Sequence, residues 1–156
     1  MEASRPATAD DITRVVELAE LMRAELGAMR GGALWLERDA WPEPLEDTYA
    51  AVLARDDALL LLGTLDDVVI GFAAVVVERL RSGAHLGVIT DLYVEPEARE
   101  VGVGEVLVGA LVEHCQTAGC IGVDATALPG HRAAKNFFET HGFTARALTM
   151  HRRLVP

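Results

Sequence analysis

The sequence predicts a single α/β domain over residues 1–156, built on a mixed, mostly antiparallel and twisted sheet with helices on both faces. Three observations predict it. Two β-rich segments form a hairpin, a third strand runs into a glycine-containing loop, and an apolar-striped helix begins at that loop. A chain of 156 residues, 51% of them apolar, has room for one core of ordinary size.

The first elements follow from short-range patterns. Residues 4–7 predict an edge strand. Thr8 and Asp11 resemble a capping box, and apolar residues at helical spacing run from Ile12 to Leu26. Two tryptophans, Trp35 and Trp41, lie in the charged, proline-containing segment that follows. They are interpreted either as packing anchors or as substrate-binding groups.

The remaining elements alternate between strand and helix patterns. Gly71 in the second hairpin strand predicts a bulge or a close approach of two backbones. In chain order the sequence predicts a helix over 45–55, a hairpin of strands 58–65 and 68–80 turning at Asp66–Asp67, a strand over 85–94, a helix over 103–119, a strand over 120–127, a helix over 133–141 and a final strand or strand pair over 143–154.

Composition excludes several classes of protein. A net charge of −10 argues against nucleic acids and anionic membrane surfaces as partners. No apolar run reaches the roughly 20 residues that span a bilayer, and no leader pattern is seen. Two cysteines do not make a disulfide framework, so we expect a reduced, cytoplasmic protein. His114 beside Cys115 lacks further ligands, so no metal site is expected.

The glycine loop, residues 99–104, is the strongest local signal. Gly102 and Gly104 let the backbone approach a ligand closely, and the first N–H groups of the helix after them have no internal partner. Such a helix start binds anions, most often phosphate. The spacing fits neither a dinucleotide fingerprint nor a P-loop. Taken alone, it is also compatible with a tight turn that binds nothing.

Two motifs resemble the GNAT superfamily of N-acetyltransferases. Leu92-Tyr93-Val94-Glu95-Pro96 followed by Arg99-x-x-Gly102-x-Gly104 is similar to the superfamily's acetyl-CoA loop. Residues 134–143, Ala-Lys-Asn-Phe-Phe-Glu-Thr-His-Gly-Phe, resemble its Ala-x-x-Phe-Tyr-Glu-x-x-Gly-Phe motif. The chain departs from the family at Glu100 and Val101, where glycine and often a basic residue are usual, and at Phe138, where a tyrosine commonly protonates the departing thiolate.

The resemblance implies a single-domain GNAT fold with a splayed central strand pair and acetyl-CoA as the cofactor. It implies that the pantetheine arm and pyrophosphate lie against one set of residues: Leu92, Val94, Arg99, Val101, Gly102, Val103, Gly104, Glu105, Asn136 and Phe138. Asp91 is the candidate base that takes the amine proton, directly or through water, with Glu78 as second choice. A purely structural role for the Asp91 carboxylate stays open.

These inferences predict an N-acetyltransferase that moves an acetyl group to a primary amine by direct attack in a ternary complex. The acidic charge and the tryptophans slightly favour a small cationic amine over a peptide amine. The family's habits suggest a homodimer. The alternative is a non-catalytic acyl-CoA-binding module for sensing or regulation, which Phe138 and Glu100 motivate.

Overall fold

A computed structural model describes residues 1–156, and its centre is a five-stranded sheet in the order β1-β2-β3-β4-β5. Neighbouring strands run antiparallel except β4 and β5, which are parallel. The strands are β1 Glu2–Pro6, β2 Ala58–Leu65, β3 Val68–Arg79, β4 His85–Val94 and β5 Cys120–Asp124. The predicted fold class is therefore confirmed.

Five helices cover this sheet: α1 Ile12–Gly27, α2 Gly32–Leu34, α3 Leu45–Ala54, α4 Val103–Thr117 and α5 Arg132–Thr140. Helices α1 and α3 pack on one face, around buried residues such as Leu18, Tyr49 and Phe72. Helix α4 packs on the other face, where Val103, Leu107 and Leu111 are buried. None of the helices has the length and apolar character needed to cross a membrane.

The hairpin between β2 and β3 forms as predicted. Asp66 and Asp67 both have positive φ, at 49° and 67°, as a tight two-residue hairpin turn requires. The register slips beside Gly71, so that one extra residue of β3 bulges out. A Cβ atom added at Gly71 would lie 2.7 Å from the carbonyl oxygen of Tyr93, so both features expected of this glycine are present.

Three of the predictions made from the sequence need correction. β5 ends at Asp124 and not at residue 127, and the loop that carries Trp35 includes α2 and a π-helical turn, Trp35–Asp39. The predicted final strand or pair over 143–154 is wrong, because residues 144–156 form no regular structure and are exposed. A segment with a strand pattern becomes a strand only when its backbone pairs with an edge, and this segment pairs with none within the chain.

The predicted capping box at the start of α1 is present. The Asp11 carboxylate accepts hydrogen bonds from the Thr8 backbone N–H at 2.8 Å and from both terminal nitrogens of Arg5. The Arg5 hydrogen bonds hold the pKa of Asp11 well below its ordinary value. This contribution to stability is therefore complete above the unfolded-state pKa, about 4, and is lost as pH falls below it.

We expect Asp11→Ala to lower the free energy of unfolding by about 1 kcal/mol at pH 7, the typical cost of losing a cap, and by less at pH 3. Urea unfolding at both pH values measures this. Asp10→Ala is the matched control, because Asp10 lies in the same turn and accepts no hydrogen bond from a side chain. Equal losses in the two variants would contradict the capping role.

Candidate active site

The sheet opens between its last two strands. β4 pairs with β5 only over His85–Val88, opposite Cys120–Asp124. From Ile89 to Val94, β4 pairs only with β3. The backbone edge of β4 that faces β5 is therefore without a strand partner along half of its length. This gap connects the α4 face of the sheet with the α1 and α3 face, and it agrees with the expected splayed pair.

The glycine loop lies at the end of this gap. Gly102 has a φ of +90° and immediately precedes α4. No backbone or side-chain acceptor binds the N–H groups of residues 102, 103, 104 and 105. These four donors sit at the positive end of a helix that is 15 residues long. The loop thus has the donors and the field that an anionic group requires.

Charged side chains around the loop are mostly acidic. The Arg99 guanidinium donates from Nε to the Val94 carbonyl at 2.9 Å, and its terminal nitrogens bind the Glu25 carboxylate of α1. Its positive charge is therefore already paired. Glu100 and Glu105 are exposed, and a Cβ atom added at Gly102 would lie 3.5 Å from Glu2 Oε1. The backbone N–H groups are consequently the main unpaired donors at the loop.

A β-bulge directs Asp91 into the α1 and α3 face. Asp91 lies opposite Ala74 while Ile89 lies opposite Val75, so Thr90 is the extra residue of β4. The Asp91 side chain is buried, with 2% of its surface exposed. Its Oδ1 accepts hydrogen bonds from Trp41 Nε1 at 2.8 Å and Thr90 Oγ1 at 2.6 Å. Its Oδ2 accepts one from Tyr49 Oη at 2.6 Å.

No cationic side chain pairs with Asp91, so no positive charge offsets the effect of burial on its pKa. Burial raises the pKa of the Asp91 carboxyl, against the lowering effect of its hydrogen bonds to Thr90, Tyr49 and Trp41. Burial and the neighbouring carboxylate also raise the pKa of Tyr49, which therefore stays a neutral donor. A carboxylate with a raised pKa is a stronger base than an exposed one.

Both tryptophans pack against the core, Trp35 fully and Trp41 in part. Trp35 is buried, and Trp41 packs against the same cluster while its ring lies 5.9 Å from the Arg55 guanidinium. The packing interpretation of the tryptophans is therefore supported. Trp41 has the additional task of holding the Asp91 carboxylate.

Helix α5 lies beside the start of α4. A Cβ atom added at Gly104 would lie 3.4 Å from the Phe137 ring, so glycine permits this close packing. Phe138 is half-buried and packs against Phe143, with ring centroids 5.2 Å apart. Asn136 is exposed on α5. Phe138 therefore supplies apolar surface to this aromatic cluster and has no proton to donate.

Two loops meet on the face of the sheet that α1 and α3 cover. A Cβ atom added at Gly31 would lie 3.5 Å from Pro129, so the turn after α1 approaches the loop that precedes α5. His131 follows in that loop, and burial lowers its pKa. These loops limit access to the gap from this side.

The predicted cofactor residues between 99 and 105 lie in the loop and first turn that follow Leu92 and Val94 of β4, and the contact of α5 with this loop is made by Phe137. Asp91 lies on the opposite face of β4. Sequence reasoning missed Trp41, Tyr49 and Thr90 as partners of Asp91, and Glu25 as the partner of Arg99. An aspartate within an otherwise apolar strand indicates that such partners exist. No local pattern identifies them, because they lie up to 50 residues away in the chain.

Cys115 does not supply a thiolate at neutral pH. Cys115 is buried in α4, and burial raises the pKa of its thiol to about 11, which leaves it neutral at pH 7. No three His, Cys, Asp or Glu side chains converge where they could hold a metal ion.

A splayed sheet with an anion-binding helix start at one end of the gap is the architecture of an acyl-CoA-dependent acetyltransferase. The Acetyltransferase (GNAT) family model matches residues 18–143, and the chain belongs to this family. No match was found among curated proteins.

Solved structures share the whole fold. A mutant of the BH1408 protein of Bacillus halodurans superposes with a TM-score of 0.83 at 18% identity, covering 97% of this chain and 99% of that one. Glucosamine-6-phosphate N-acetyltransferase of Arabidopsis thaliana gives 0.72 at 18% identity, covering 99% of each chain. An aminoglycoside acetyltransferase from an uncultured soil metagenomic sample gives 0.73 at 17% identity, covering 99% of this chain and 96% of that one. At these identities the likeness establishes the fold.

Proposed function

We propose that this protein is an acetyl-CoA-dependent N-acetyltransferase that acetylates a primary amine, with both substrates bound together. The observation that carries the proposal is the row of four unpaired N–H groups at the start of α4, beside the open edge of β4. Bound acetyl-CoA supplies the acetyl thioester, and the acceptor supplies an uncharged amine. A C–N bond forms, the C–S bond breaks, the amine loses a proton and the thiolate gains one.

The residues of the loop fit the cofactor. The N–H groups of residues 102–105 have no backbone acceptor, and we assign them to the pyrophosphate, with Val101 and Arg99 completing the loop. The unpaired edge of β4 at Leu92 and Val94 offers backbone groups for the pantetheine arm, which runs along an open strand edge as an added strand does. We assign Asn136 and Phe138 of α5 to the same cofactor, because the neighbouring Phe137 ring contacts the loop at Gly104.

Asp91 is the proposed acceptor of the amine proton. Its raised pKa makes it a stronger base than an exposed aspartate. Because the carboxylate is only 2% exposed, we assign the contact with the amine to the half-buried Thr90 hydroxyl, which is bonded to Asp91 at 2.6 Å. Thr90 passes its proton to Asp91 as it receives the proton of the amine. Trp41 and Tyr49 hold the carboxylate in the position that this transfer needs.

The acceptor that fits best is a small cationic amine. The chain carries a net charge of −10, which raises the local concentration of cations. Two of the proteins with a similar fold are named as acetyltransferases of small amine compounds, glucosamine-6-phosphate and an aminoglycoside. The close approach of the loops at Gly31 and Pro129 limits the room for a folded protein. A peptide amine is the alternative within this proposal.

Heat stability with and without acetyl-CoA, followed by thiol release against a panel of amines, tests the function. A ligand that binds only the folded state raises the melting temperature. We expect a shift with acetyl-CoA and amine-dependent release of free thiol. No shift at saturating acetyl-CoA would contradict the assignment of the loop.

Phe138→Tyr tests the missing general acid. We expect this variant to bind acetyl-CoA as the parent does and to raise kcat, because a phenol at this position can protonate the departing thiolate. General acid catalysis is typically worth about 10²–10⁴-fold, and a phenol not evolved for the task should recover only part of that. Phe143→Tyr is the matched control, since Phe143 packs against the same ring. An unchanged kcat in Phe138→Tyr would rule out this position as the acid site.

A second candidate function is a non-catalytic acyl-CoA-binding module. Phe138 favours it, because the ring packs against its neighbours and donates no proton. A melting shift with acetyl-CoA but no thiol release from any amine would support this module over the enzyme.

A further inference from the structure

Three contacts hold the Arg99 guanidinium against β4. Its Nε donates a hydrogen bond to the Val94 carbonyl oxygen at 2.9 Å. Its two terminal nitrogens donate to the two carboxylate oxygens of Glu25 on α1, at 2.9 and 2.5 Å. The guanidinium carbon also lies 5.4 Å from the ring centroid of Tyr93, which is buried. Because the guanidinium fork is planar and rigid, these contacts together give it one orientation.

The Val94 carbonyl belongs to the open edge of β4. The Glu95 N–H donates to the Ile70 carbonyl at 2.9 Å, so the backbone groups of Glu95 point toward β3. The register between β3 and β4 is unbroken from Leu92 to Val94. Successive residues of a strand point their N–H and C=O groups to opposite sides, so those of Val94 and Leu92 point away from β3 and into the gap. Arg99 occupies one of these two carbonyls.

An occupied carbonyl limits how the proposed cofactor pairs with this edge. The pantetheine arm carries two amides, and an edge whose groups repeat every second residue offers it registers about 7 Å apart. Arg99 blocks a register that uses the Val94 carbonyl, which leaves the Leu92 carbonyl and the N–H groups. A shift of about 7 Å carries the thioester away from Thr90. A displacement of only about 1 Å in a reacting pair can cost about 10²-fold in rate.

Glu25 keeps Arg99 from turning to a different partner. The Arg99 side chain is 40% exposed, and it lies three residues before Gly102, where we assign the pyrophosphate. A guanidinium without Glu25 is attracted to that pyrophosphate, since arginine binds phosphate oxygens through two parallel hydrogen bonds. It then leaves the Val94 carbonyl open. The Glu25 carboxylate accepts both terminal N–H groups, so it competes directly with the phosphate for them.

We propose, on the basis of the function proposed above, that Glu25 is a positioning residue of the reaction. It holds Arg99 on the Val94 carbonyl, so that acetyl-CoA pairs with the edge of β4 in a single register. Glu25 touches neither substrate and acts through Arg99. A residue of α1 thereby determines where along the gap the thioester lies.

Glu25→Gln tests this role by a comparison of kcat with affinity. Glutamine keeps the length of the side chain and removes the charge that holds the guanidinium. We expect kcat to fall by about 10–10²-fold, the cost of a displaced thioester. We expect the Kd of acetyl-CoA in calorimetry to stay close to that of the parent, because the N–H groups at the start of α4 are unchanged.

Glu20→Gln is the matched control. Glu20 is exposed on the same helix and lies outside the ion pairs that α1 forms, so this variant loses the same charge and should match the parent in kcat and Kd. A kcat in Glu25→Gln equal to that of Glu20→Gln would overturn the positioning role. So would a loss of affinity large enough to explain the whole loss of kcat/KM.

A double-mutant cycle shows whether Glu25 acts through Arg99. If it does, the double variant Glu25→Gln/Arg99→Gln loses no more kcat than Arg99→Gln alone, because both single variants remove the same constraint. Losses that multiply in the double variant would overturn the proposed route through Arg99.

Amide signals of ¹⁵N-labelled protein saturated with CoA test the register without any turnover. We expect one signal each for Leu92 and Val94 in the parent, and doubled or exchange-broadened signals for both in Glu25→Gln. Parental signals in Glu25→Gln would overturn the role of Glu25 and leave the acetyltransferase proposal intact. A parent that binds no CoA would overturn the acetyltransferase proposal, and the role of Glu25 with it.

Discussion

Gly102→Val should strongly weaken acetyl-CoA binding while the domain stays folded. The backbone at Gly102 has a φ of +90°, which a β-branched residue adopts only with strain, so the substitution displaces the loop. Displacement removes the alignment of the N–H groups at the start of α4. Hydrogen bonds to a charged group are worth about 1.5–3 kcal/mol each. Losing two of them weakens binding by about 10²–10⁴-fold.

A valine at positive φ destabilises any protein, so the effect of backbone strain needs a control. Gly119→Val provides this control. This glycine follows α4 with a φ of +75°, and a Cβ atom added there has no neighbour within 4 Å. We expect Gly119→Val to lose stability as Gly102→Val does, but to bind acetyl-CoA with parental affinity in calorimetry. Retained affinity in Gly102→Val, or equal loss of affinity in both variants, would count against a pyrophosphate site at this loop.

The sequence predicted the elements whose signals are local. The hairpin turn at Asp66–Asp67, the limits of β4 and the start of α4 follow from turn residues, strand propensity and glycine spacing within a few positions. The start of α1 likewise follows from its capping box. In each case the physical cause lies in residues that are neighbours in the chain, so one sequence is enough.

The surroundings of Asp91 could not be predicted in the same way. Its hydrogen-bond donors come from the loop after α2, from α3 and from the bulge at Thr90. Tertiary packing of α3 against the sheet brings Tyr49 there, and no spacing rule connects residues 42 positions apart. Arg99 shows the same limit, since its partner Glu25 lies on a helix 74 positions earlier.

The error at residues 143–154 has a different cause. The segment has strand propensity, but propensity is satisfied only when an edge is available for pairing. Within one chain the structure leaves both the segment and the β5 edge unpaired.

In the proposed reaction, the cofactor and the base lie on opposite faces of β4. Val94 faces the α4 cluster, while Asp91 and Tyr93 face α1 and α3. Beyond Val88, β4 has no partner strand on its β5 side, and we propose that a group held on the first face reaches the second face there. In this proposal an amine that enters from the α1 and α3 side meets the thioester next to Thr90.

Asp91→Asn should lower kcat/KM by about 10²–10⁴-fold, the usual contribution of a general base. Asparagine has nearly the same shape and keeps the packing against Trp41 and Tyr49, so the domain should remain folded. The parent should lose activity as pH falls through the pKa of Asp91, which burial places above the ordinary value for an aspartate. Because asparagine does not ionise, this acid limb should vanish in the variant.

Tyr49→Phe distinguishes two roles of Asp91, a catalytic base and a carboxylate that is purely structural. This variant keeps the carboxylate but removes one hydrogen bond that stabilises its charged form. The pKa of Asp91 should therefore rise further, and the acid limb of the kcat/KM profile should move to higher pH without disappearing. A purely structural Asp91 would lower activity in both variants and leave the shape of both pH profiles as in the parent.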